Sequence, residues 1–439
     1  MRDLFLGFLI FPILLVQKMG YQNIKEYTLK NGMKVLILED NSSPIISLGI
    51  WYKVGSRNEV TGKTGISHLL EHMMFKGTKR IGSQEFSKII QRIGGVDNAF
   101  TSNDATCYWE VFPKENLEKI LELESDRMQN LVFREFEEEK KVVMEERRLR
   151  TENSPEGIFW EELYALSYKV HPYKNPVIGW MSDLENINLS DVKEHYKTYY
   201  SPNNAVMIIV GDVEEKKVIS LVKKYFEKVP PVKNIPEMRI KEPKQMGERR
   251  MYIKKEGFSK KLGISFHISE AGSTDEIPLQ ILAYILGGDK TSRLYRKIVH
   301  EKGLATECFA YADIRIDPGL FIIVADLKLI SSFEEVLSEI LAEIEKIKNE
   351  DIEEKELVKA KNQIKASFVY SQQSVLRQNF IIGSFENLRG WKKILTYLDE
   401  VDKVSKEDIK RVANFYFAEN SRNILYLEPI LPQKLGEGK

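Results

Sequence analysis

The chain has 439 residues, which is too many for a single hydrophobic core, so we expect two or more domains. Basic and acidic residues both number 65, so the formal net charge is zero and nothing favours a nucleic-acid partner. The two cysteines, Cys107 and Cys308, exclude a disulfide framework and a four-cysteine zinc site. We interpret them as small buried residues.

The N-terminus carries an uncharged run from Leu4 to Val16, preceded by Arg2 and followed by Lys18. The run is too short for a comfortable transmembrane helix but suits the apolar core of a signal peptide. No Ala-x-Ala cleavage site follows it. Residues 1–20 are therefore predicted to be a signal peptide or a membrane anchor, and the location to be exported, periplasmic or associated with the cell envelope. A buried N-terminal strand or helix is the alternative.

The next segments mix strand and helix signals. Apolar residues alternate around Asn31-Gly32, a dipeptide typical of hairpin turns, which predicts a hairpin over 27–39. Further strand character marks 45–54, 96–112 and 205–210, and helical periodicity predicts helices at 64–76, 83–93, 114–130, 134–152 and 214–228. This order indicates an α+β fold with mostly antiparallel strands rather than regular βαβ winding.

A proline-rich stretch follows, and its prolines lie among charged residues at positions 230, 231, 236 and 243. Such composition is typical of an interdomain linker. We place the linker at 229–246, between an N-terminal α+β domain at 21–228 and a C-terminal α+β domain at 247–439.

The two halves are predicted to be repeats of one another. Residues 65–72 align with 276–283, and residues 136–139 align with 352–355. Polar residues of the first half then fall on residues that are poor ligands: His68 on Leu279, Glu71 on Leu282, His72 on Ala283 and Glu146 on Asn362. The scaffold therefore does not require the polar residues, which favours a functional site in the first half.

His68 and His72 are four residues apart, so on a helix they share one face and can bind one zinc ion. Glu71 borders that face and could accept a proton from metal-bound water. The helix at 134–152 is the expected source of a third ligand. Glu139 and Glu146 lie two turns apart on one face, and either could bind the metal while the other orients a histidine. The alternative is a structural helix whose two histidines have hydrogen-bond partners within the protein. We interpret the other four histidines, His171, His195, His267 and His300, as structural or surface residues.

These residues resemble a known family. The segment from His68 to Thr78, HLLEHMMFKGT, resembles the pitrilysin and mitochondrial processing peptidase family of inverted-motif (HxxEH) zinc metallopeptidases. The resemblance runs from about Tyr27 to Glu428. Further matching segments are 98–101, 139–146, 175–179 and 287–295.

The resemblance implies one Zn²⁺ per chain, bound by His68, His72 and Glu146, with Glu71 as general base and Glu139 hydrogen-bonded behind a ligand. It implies that an extended peptide pairs as an added strand with Asn98, Ala99, Phe100 and Thr101. It also implies two similar repeats, one active and one degenerate, each with a sheet flanked by helices and facing each other across a chamber. Cobalt or manganese can fill similar sites, so the choice of zinc rests on the family resemblance.

The sequence departs from the family pattern at one place. Many single-chain members carry an Arg and a Tyr near the Gly-Leu-Ala of the degenerate repeat, where they hold substrate and stabilise the oxyanion. Here those positions, aligned on Gly303-Leu304-Ala305, are Val299 and Thr306. We therefore expect a zinc-dependent endopeptidase that needs a partner bearing the Arg and Tyr, as a hetero-oligomer, with a homodimer as the other arrangement.

Two other functions fit parts of the sequence. The first is a non-catalytic assembly subunit of the same fold, as in core subunits of a respiratory complex, which would not bind zinc through His68 and His72. The second is a zinc hydrolase of small molecules, such as an amidase, which would have a small deep cleft. The length of the chain and the segment at 98–101 favour peptides.

Overall fold

The computed structural model of the protein describes residues 20–431. The predicted signal peptide or anchor therefore lies, apart from Gly20, outside the described residues. Within the described part, none of the helices combines the length and the apolar character needed to cross a membrane.

Eleven strands are described: β1 (Lys25–Thr28), β2 (Lys34–Glu39), β3 (Ile45–Tyr52), β4 (Val96–Thr101), β5 (Thr106–Pro113), β6 (Ala205–Gly211), β7 (Arg249–Glu256), β8 (Lys261–His267), β9 (Ala305–Asp313), β10 (Leu320–Leu327) and β11 (Arg422–Ile430). The helices are α1 (Ile66–Met73), α2 (Glu85–Arg92), α3 (Leu117–Asn130), α4 (Phe136–Arg147), α5 (Pro155–Ser167), α6 (Met181–Asn186), α7 (Leu189–Tyr199), α8 (Glu215–Phe226), α9 (Glu276–Gly287), α10 (Phe333–Asn349), α11 (Glu354–Tyr370), α12 (Val375–Leu388), α13 (Ile394–Lys403) and α14 (Lys406–Tyr416).

The strands form two sheets with the same internal order. The first is six-stranded, β1-β2-β6-β3-β5-β4, and the second is five-stranded, β7-β11-β8-β10-β9. In each sheet one pair is parallel, β2 with β6 and β7 with β11, and all other pairs are antiparallel. The predicted α+β fold of two similar repeats, each a mostly antiparallel sheet with flanking helices, is confirmed.

Most predicted elements are present with shifted ends. The hairpin at 27–39 is the antiparallel pair of β1 and β2, and its turn uses Gly32 at φ 87°. The strand segment at 96–112 is a hairpin of two strands, β4 and β5. The helix predicted at 134–152 is α-helical only to Arg147, and residues Arg148–Glu152 continue with wider π-helical turns.

Each sheet is covered on one face by a helix from the other half of the chain. α12, which follows the second sheet's hairpins in sequence, packs its Ile382 and Phe385 against Leu36 and Ile208 of the first sheet. Conversely, α5 packs Phe159 and Leu163 against the second sheet. Helical periodicity shows that a helix has an apolar face but does not show which sheet covers that face.

A glycine in the equivalent strand of each repeat makes room for the exchanged helix. A Cβ on Gly49 of β3 would lie 2.5 Å from Asn379 Oδ1 of α12. A Cβ on Gly263 of β8 would lie 2.7 Å from the ring of Phe159 in α5. A side chain at either glycine would therefore clash with a side chain of the helix that packs there.

The exchange makes both compact units discontinuous in sequence. Within the described residues, the first unit combines the chain up to Met144 with Pro176–Arg239 and Ala366–Tyr397, and the second combines Glu145–Asn175, Ile240–Lys365 and the described chain from Leu398. The boundaries drawn from the sequence, 21–228 and 247–439, instead treat each half as one continuous domain. They divide the chain at its proline-rich stretch and leave each exchanged helix with the half in which it lies in sequence.

Candidate metal centre

The helix that carries the histidine motif has one apolar and one polar face. Ile66, Leu69, Leu70 and Met73 of α1 are buried in the core of the first unit. Their spacing leaves His68, Glu71 and His72 together on the opposite, half-buried face. The rings of His68 and His72 lie 4.8 Å apart between centroids at an angle of 71°.

The helix that carries the two candidate glutamates also presents a single inward face. Phe136 and Val143 of α4 are buried, Glu139 and Glu146 are half-buried, and Glu137, Glu138 and Glu145 are exposed. The exposed glutamates form a solvated face, as their run in the sequence suggests. The boundary between the compact units falls inside α4, after Met144, but the helix is continuous to Arg147 and so places Glu146 in its last turn.

The structure brings His68, His72 and Glu146 together. One ligand atom from each lies within 4.8 Å of the other two, and this is the group of possible metal ligands found among residues 20–431. Ligand atoms of one tetrahedral zinc, with bonds of about 2.1 Å, lie about 3.4 Å apart. A small inward movement would therefore allow all three to bind one ion. Glu146 Oε1 also accepts a bond from the exposed Arg150 Nη1 at 3.0 Å.

Glu139 contacts His72 rather than joining the three ligands. His72 Nδ1 lies 2.8 Å from Glu139 Oε1, and because an ionised carboxylate only accepts, Nδ1 is the donor. This tautomer leaves Nε2 of His72 with a lone pair for a metal. The spacing argument left Glu139 and Glu146 interchangeable, and the geometry separates their positions.

A buried lysine completes this chain of contacts, and sequence reasoning missed it. Lys76 Nζ lies 2.5 Å from Glu139 Oε2 and 3.0 Å from Glu135 Oε2. Burial raises the pKa of Glu139, but the hydrogen bonds from His72 and Lys76 outweigh it and hold the pKa below its ordinary value. Because α1 ends at Met73, Lys76 lies beyond the helix, and sequence spacing alone gave no sign of its contact with Glu139.

Glu71 is held by the strand that was predicted to bind substrate. Thr101 Oγ1, at the end of β4, donates to Glu71 Oε2 at 2.5 Å. β4 is the outermost strand of the first sheet. The general-base candidate therefore lies beside one end of a sheet edge.

The other predicted substrate-binding residues lie along β4. Asn98 is exposed, and its Oδ1 accepts the backbone N–H of Ala99 at 2.8 Å. Ala99 packs against the core beneath α1. The Phe100 ring meets the Trp51 ring edge-to-face at 5.4 Å between centroids, within the core beneath α12. These four residues therefore alternate between the two faces of the sheet.

The second repeat has no comparable group among its described residues. Leu279, Leu282 and Ala283 of α9 are buried, and Asn362 of α11 is exposed. At the positions of the family's Arg and Tyr, Val299 is half-buried and Thr306 is exposed, with Thr306 Oγ1 donating to the Asp326 carbonyl at 3.2 Å.

The other histidines have positions that suit structural or surface roles. His171 is buried and contacts Asp317, His195 is buried beside Ser67, His267 contacts the Ser167 carbonyl, and His300 is exposed. Both cysteines are buried and free, as expected.

Comparison with known proteins finds matches along most of the chain. Residues 34–180 match insulinase (peptidase family M16), and residues 186–364 match the peptidase M16 inactive domain. The zinc protease PqqE of Helicobacter pylori is 36% identical over 408 residues, covering 92% of each chain. The probable mitochondrial-processing peptidase subunit beta of Arabidopsis thaliana is 25% identical, covering 92% of this chain and 78% of that protein. The crystal structure of a protease from Helicobacter pylori has a TM-score of 0.89 and 36% identity, and covers 93% of this chain and 100% of that one.

Within residues 20–431, two sheets share one topology, and one group of possible metal ligands, a histidine pair and a glutamate, is present. The chain belongs to peptidase family M16, the family that includes the pitrilysin and mitochondrial processing peptidases. Its similarity to proteins named zinc proteases supports a peptidase-type function and zinc as the metal.

Proposed function

We propose that this protein is a zinc-dependent endopeptidase that cleaves extended or unstructured peptides. The observation that carries the proposal is the convergence of His68, His72 and Glu146 within 4.8 Å, beside Glu71. Two imidazoles and one carboxylate are the donor set of several catalytic zinc sites, and three protein ligands leave one position for water.

The side chains of this site have separable roles. Bound zinc would supply Lewis acidity and lower the pKa of water in its open position. Glu71 would accept the proton of the attacking water and return it to the leaving amine, with its carboxylate held in place by Thr101. Glu139 would accept the hydrogen bond from Nδ1–H of His72 and so hold the tautomer whose unprotonated Nε2 can bind the metal.

The substrate is proposed to bind at the free edge of β4 as an added strand. Main-chain pairing there tolerates many side chains and requires an extended peptide. Because Asn98 Oδ1 already accepts the Ala99 N–H, a substrate carbonyl would have to displace it to use that amide.

We also propose a partner subunit. Val299 and Thr306 replace the Arg and Tyr that the family resemblance assigns to oxyanion stabilisation. A relative bearing those residues would complete the site in a hetero-oligomer, and a second copy of this chain is the other arrangement. The name of one relative, a processing peptidase subunit beta, supports an assembly of different chains.

Export is the proposed location. The apolar run from Leu4 to Val16 beside Arg2 supports a signal peptide or anchor at residues 1–20 and hence a periplasmic or cell-envelope protein.

The test uses the purified chain and its Glu71→Gln variant. Bound zinc is measured together with the cleavage of a pool of unstructured peptides, with and without an Arg- and Tyr-bearing relative from the same source. We expect one zinc per chain in both proteins, and cleavage that the relative greatly increases and the variant abolishes.

Other outcomes separate the alternatives. Robust cleavage by the pure chain would contradict the need for a partner. Absence of zinc at His68 and His72 would contradict the enzyme and favour a non-catalytic assembly subunit of the same fold. Cleavage of small amides but not peptides would favour the small-molecule hydrolase.

A further inference from the structure

A buried carboxylate caps the helix that carries the histidines. Glu59 Oε2 accepts the backbone N–H of Gly65 at 2.8 Å, and Glu59 Oε1 accepts that of Ser67 at 2.8 Å. Amides at the start of a helix have no partner within the helix. Glu59 is 7% exposed, so its carboxylate is directed into the protein at these amides rather than into solvent.

The same end of α1 is held from a second side. Gly65 has φ 87°, and a Cβ added there would lie 2.4 Å from the Ile178 carbonyl oxygen. A Cβ on Gly179 would lie 2.3 Å from the Thr64 carbonyl oxygen, so the two segments pack backbone against backbone. Asp183 Oδ2 also accepts from Thr64 N at 3.1 Å and from Thr64 Oγ1 at 2.7 Å.

The start of the helix and the ligands are close along the chain. Ser67, whose backbone N–H donates to Glu59, directly precedes His68. The whole of α1 extends only from Ile66 to Met73. Glu146 lies on a different helix, α4. A shift or fraying of the first turn of α1 would therefore change the distances from both histidines to Glu146, and metal affinity depends steeply on ligand placement.

We propose that Glu59 is a positioning residue for the metal: it fixes the first turn of α1 and thereby sets the zinc affinity of His68 and His72. The inference rests on the proposed zinc site. Glu59 does not itself belong to the group of possible ligands. It acts by accepting hydrogen bonds from the backbone amides of Gly65 and Ser67.

The test compares two matched substitutions. Glu59→Gln preserves the shape of the side chain but presents an NH₂ group to one of the two amides. Glu242→Gln is the control, because Glu242 accepts backbone N–H groups of Lys169, Val170 and His171 at 2.6, 2.9 and 3.0 Å in the second compact unit. Zinc affinity is measured by competition with a chromophoric chelator, and amide hydrogen exchange is measured for residues 65–72 of the metal-free proteins.

We expect Glu59→Gln to raise the zinc dissociation constant about 10-fold or more and to accelerate exchange in 65–72. Glu242→Gln should leave both unchanged. If Glu59→Gln does not fold, Glu59→Asp, whose shorter side chain should not reach both the Gly65 and Ser67 amides, should give a smaller change in the same direction.

A folded Glu59→Gln variant with unchanged zinc affinity and unchanged exchange would overturn the inference. Absence of zinc from the unmodified protein would instead contradict the proposed function. The exchange measurement needs no metal, so in that case unchanged exchange in 65–72 would still overturn the role of Glu59.

Discussion

The helices α1 and α9 occupy equivalent places in two repeats of one topology, yet their chemistry differs completely. Each follows the strand at the centre of its sheet, β3 or β8. α9 buries Leu279, Leu282 and Ala283, whereas α1 presents half-buried polar residues at the aligned positions. The same scaffold therefore folds with either apolar or polar residues at these positions, so the polar residues of α1 need a functional explanation.

The polar residues of α1 require hydrogen-bond partners, whereas the apolar residues of α9 do not. Half-buried imidazole and carboxylate groups lose hydration and must form hydrogen bonds. In the first repeat Glu139 bonds to His72, Lys76 bonds to Glu139, and Thr101 bonds to Glu71. In the second repeat, burial of apolar surface stabilises the helix directly.

The largest effect is expected at Glu71. Glu71→Gln retains an oxygen that can accept the Thr101 hydroxyl but removes the base, so kcat/KM should fall by about 10³-fold while zinc content is unchanged. Steady-state peptide cleavage by the assembled enzyme and zinc analysis check it. A variant that keeps a tenth or more of the activity would show that another group is the base.

Matched truncations in the two helices should have opposite consequences. Leu279→Ala removes a fully buried side chain and should lower the free energy of unfolding by about 2–5 kcal/mol. His68→Ala should cost the metal-free protein about 1 kcal/mol or less but abolish stoichiometric zinc binding. Urea unfolding of both metal-free variants, with zinc analysis, measures the contrast. Equal losses of stability would mean that His68 is a structural residue.

Acid should destabilise the first repeat through His195. Burial lowers the pKa of His195 from 6.5 to about 3, so between these values the unfolded chain binds a proton that the folded protein does not. Stability is therefore lost as pH falls below 6.5, by about 1.4 kcal/mol per pH unit. His195→Gln removes this titration and can still bond to Ser67. The free energy of unfolding of the variant should depend less on pH between 6.5 and 4, and parallel profiles would contradict the assignment.

The smallest effect is expected at Lys76, which acts on the metal only through Glu139. Lys76→Met should weaken zinc binding about 10-fold, because Glu139 loses one of its two partners, and Lys76→Arg should restore most of the affinity. Lys34→Met is the control, since it breaks an ion pair with Glu386 away from α1 in the same unit. Stronger zinc binding by Lys76→Met would contradict a positioning role.

The sequence predicted the repeat and the candidate ligands because both depend on local periodicity. Four-residue spacing places His68 and His72 on one face, and seven-residue spacing does the same for Glu139 and Glu146. Which glutamate meets His72 depends on how α1 and α4 pack, and that choice came only from the family resemblance.

The exchanged helices and the supporting contacts were not predictable in the same way. The apolar face of α5 fits either sheet as a pattern, and only the fold assigns it to the second. Glu59 and Lys76 resemble ordinary surface charges in sequence, whereas the structure buries both. The partners of Lys76 show why it is buried, and they lie far from it in sequence, at the start of α4 and directly before it.

The most direct test of the account is anomalous diffraction at the zinc absorption edge from crystals of the purified chain grown with zinc. We expect one strong peak about 2.0–2.2 Å from a nitrogen of His68, a nitrogen of His72 and an oxygen of Glu146, with Glu139 bonded to His72 and no peak at α9. A peak coordinated by Glu139 instead of Glu146, or no peak at the two histidines, would contradict it.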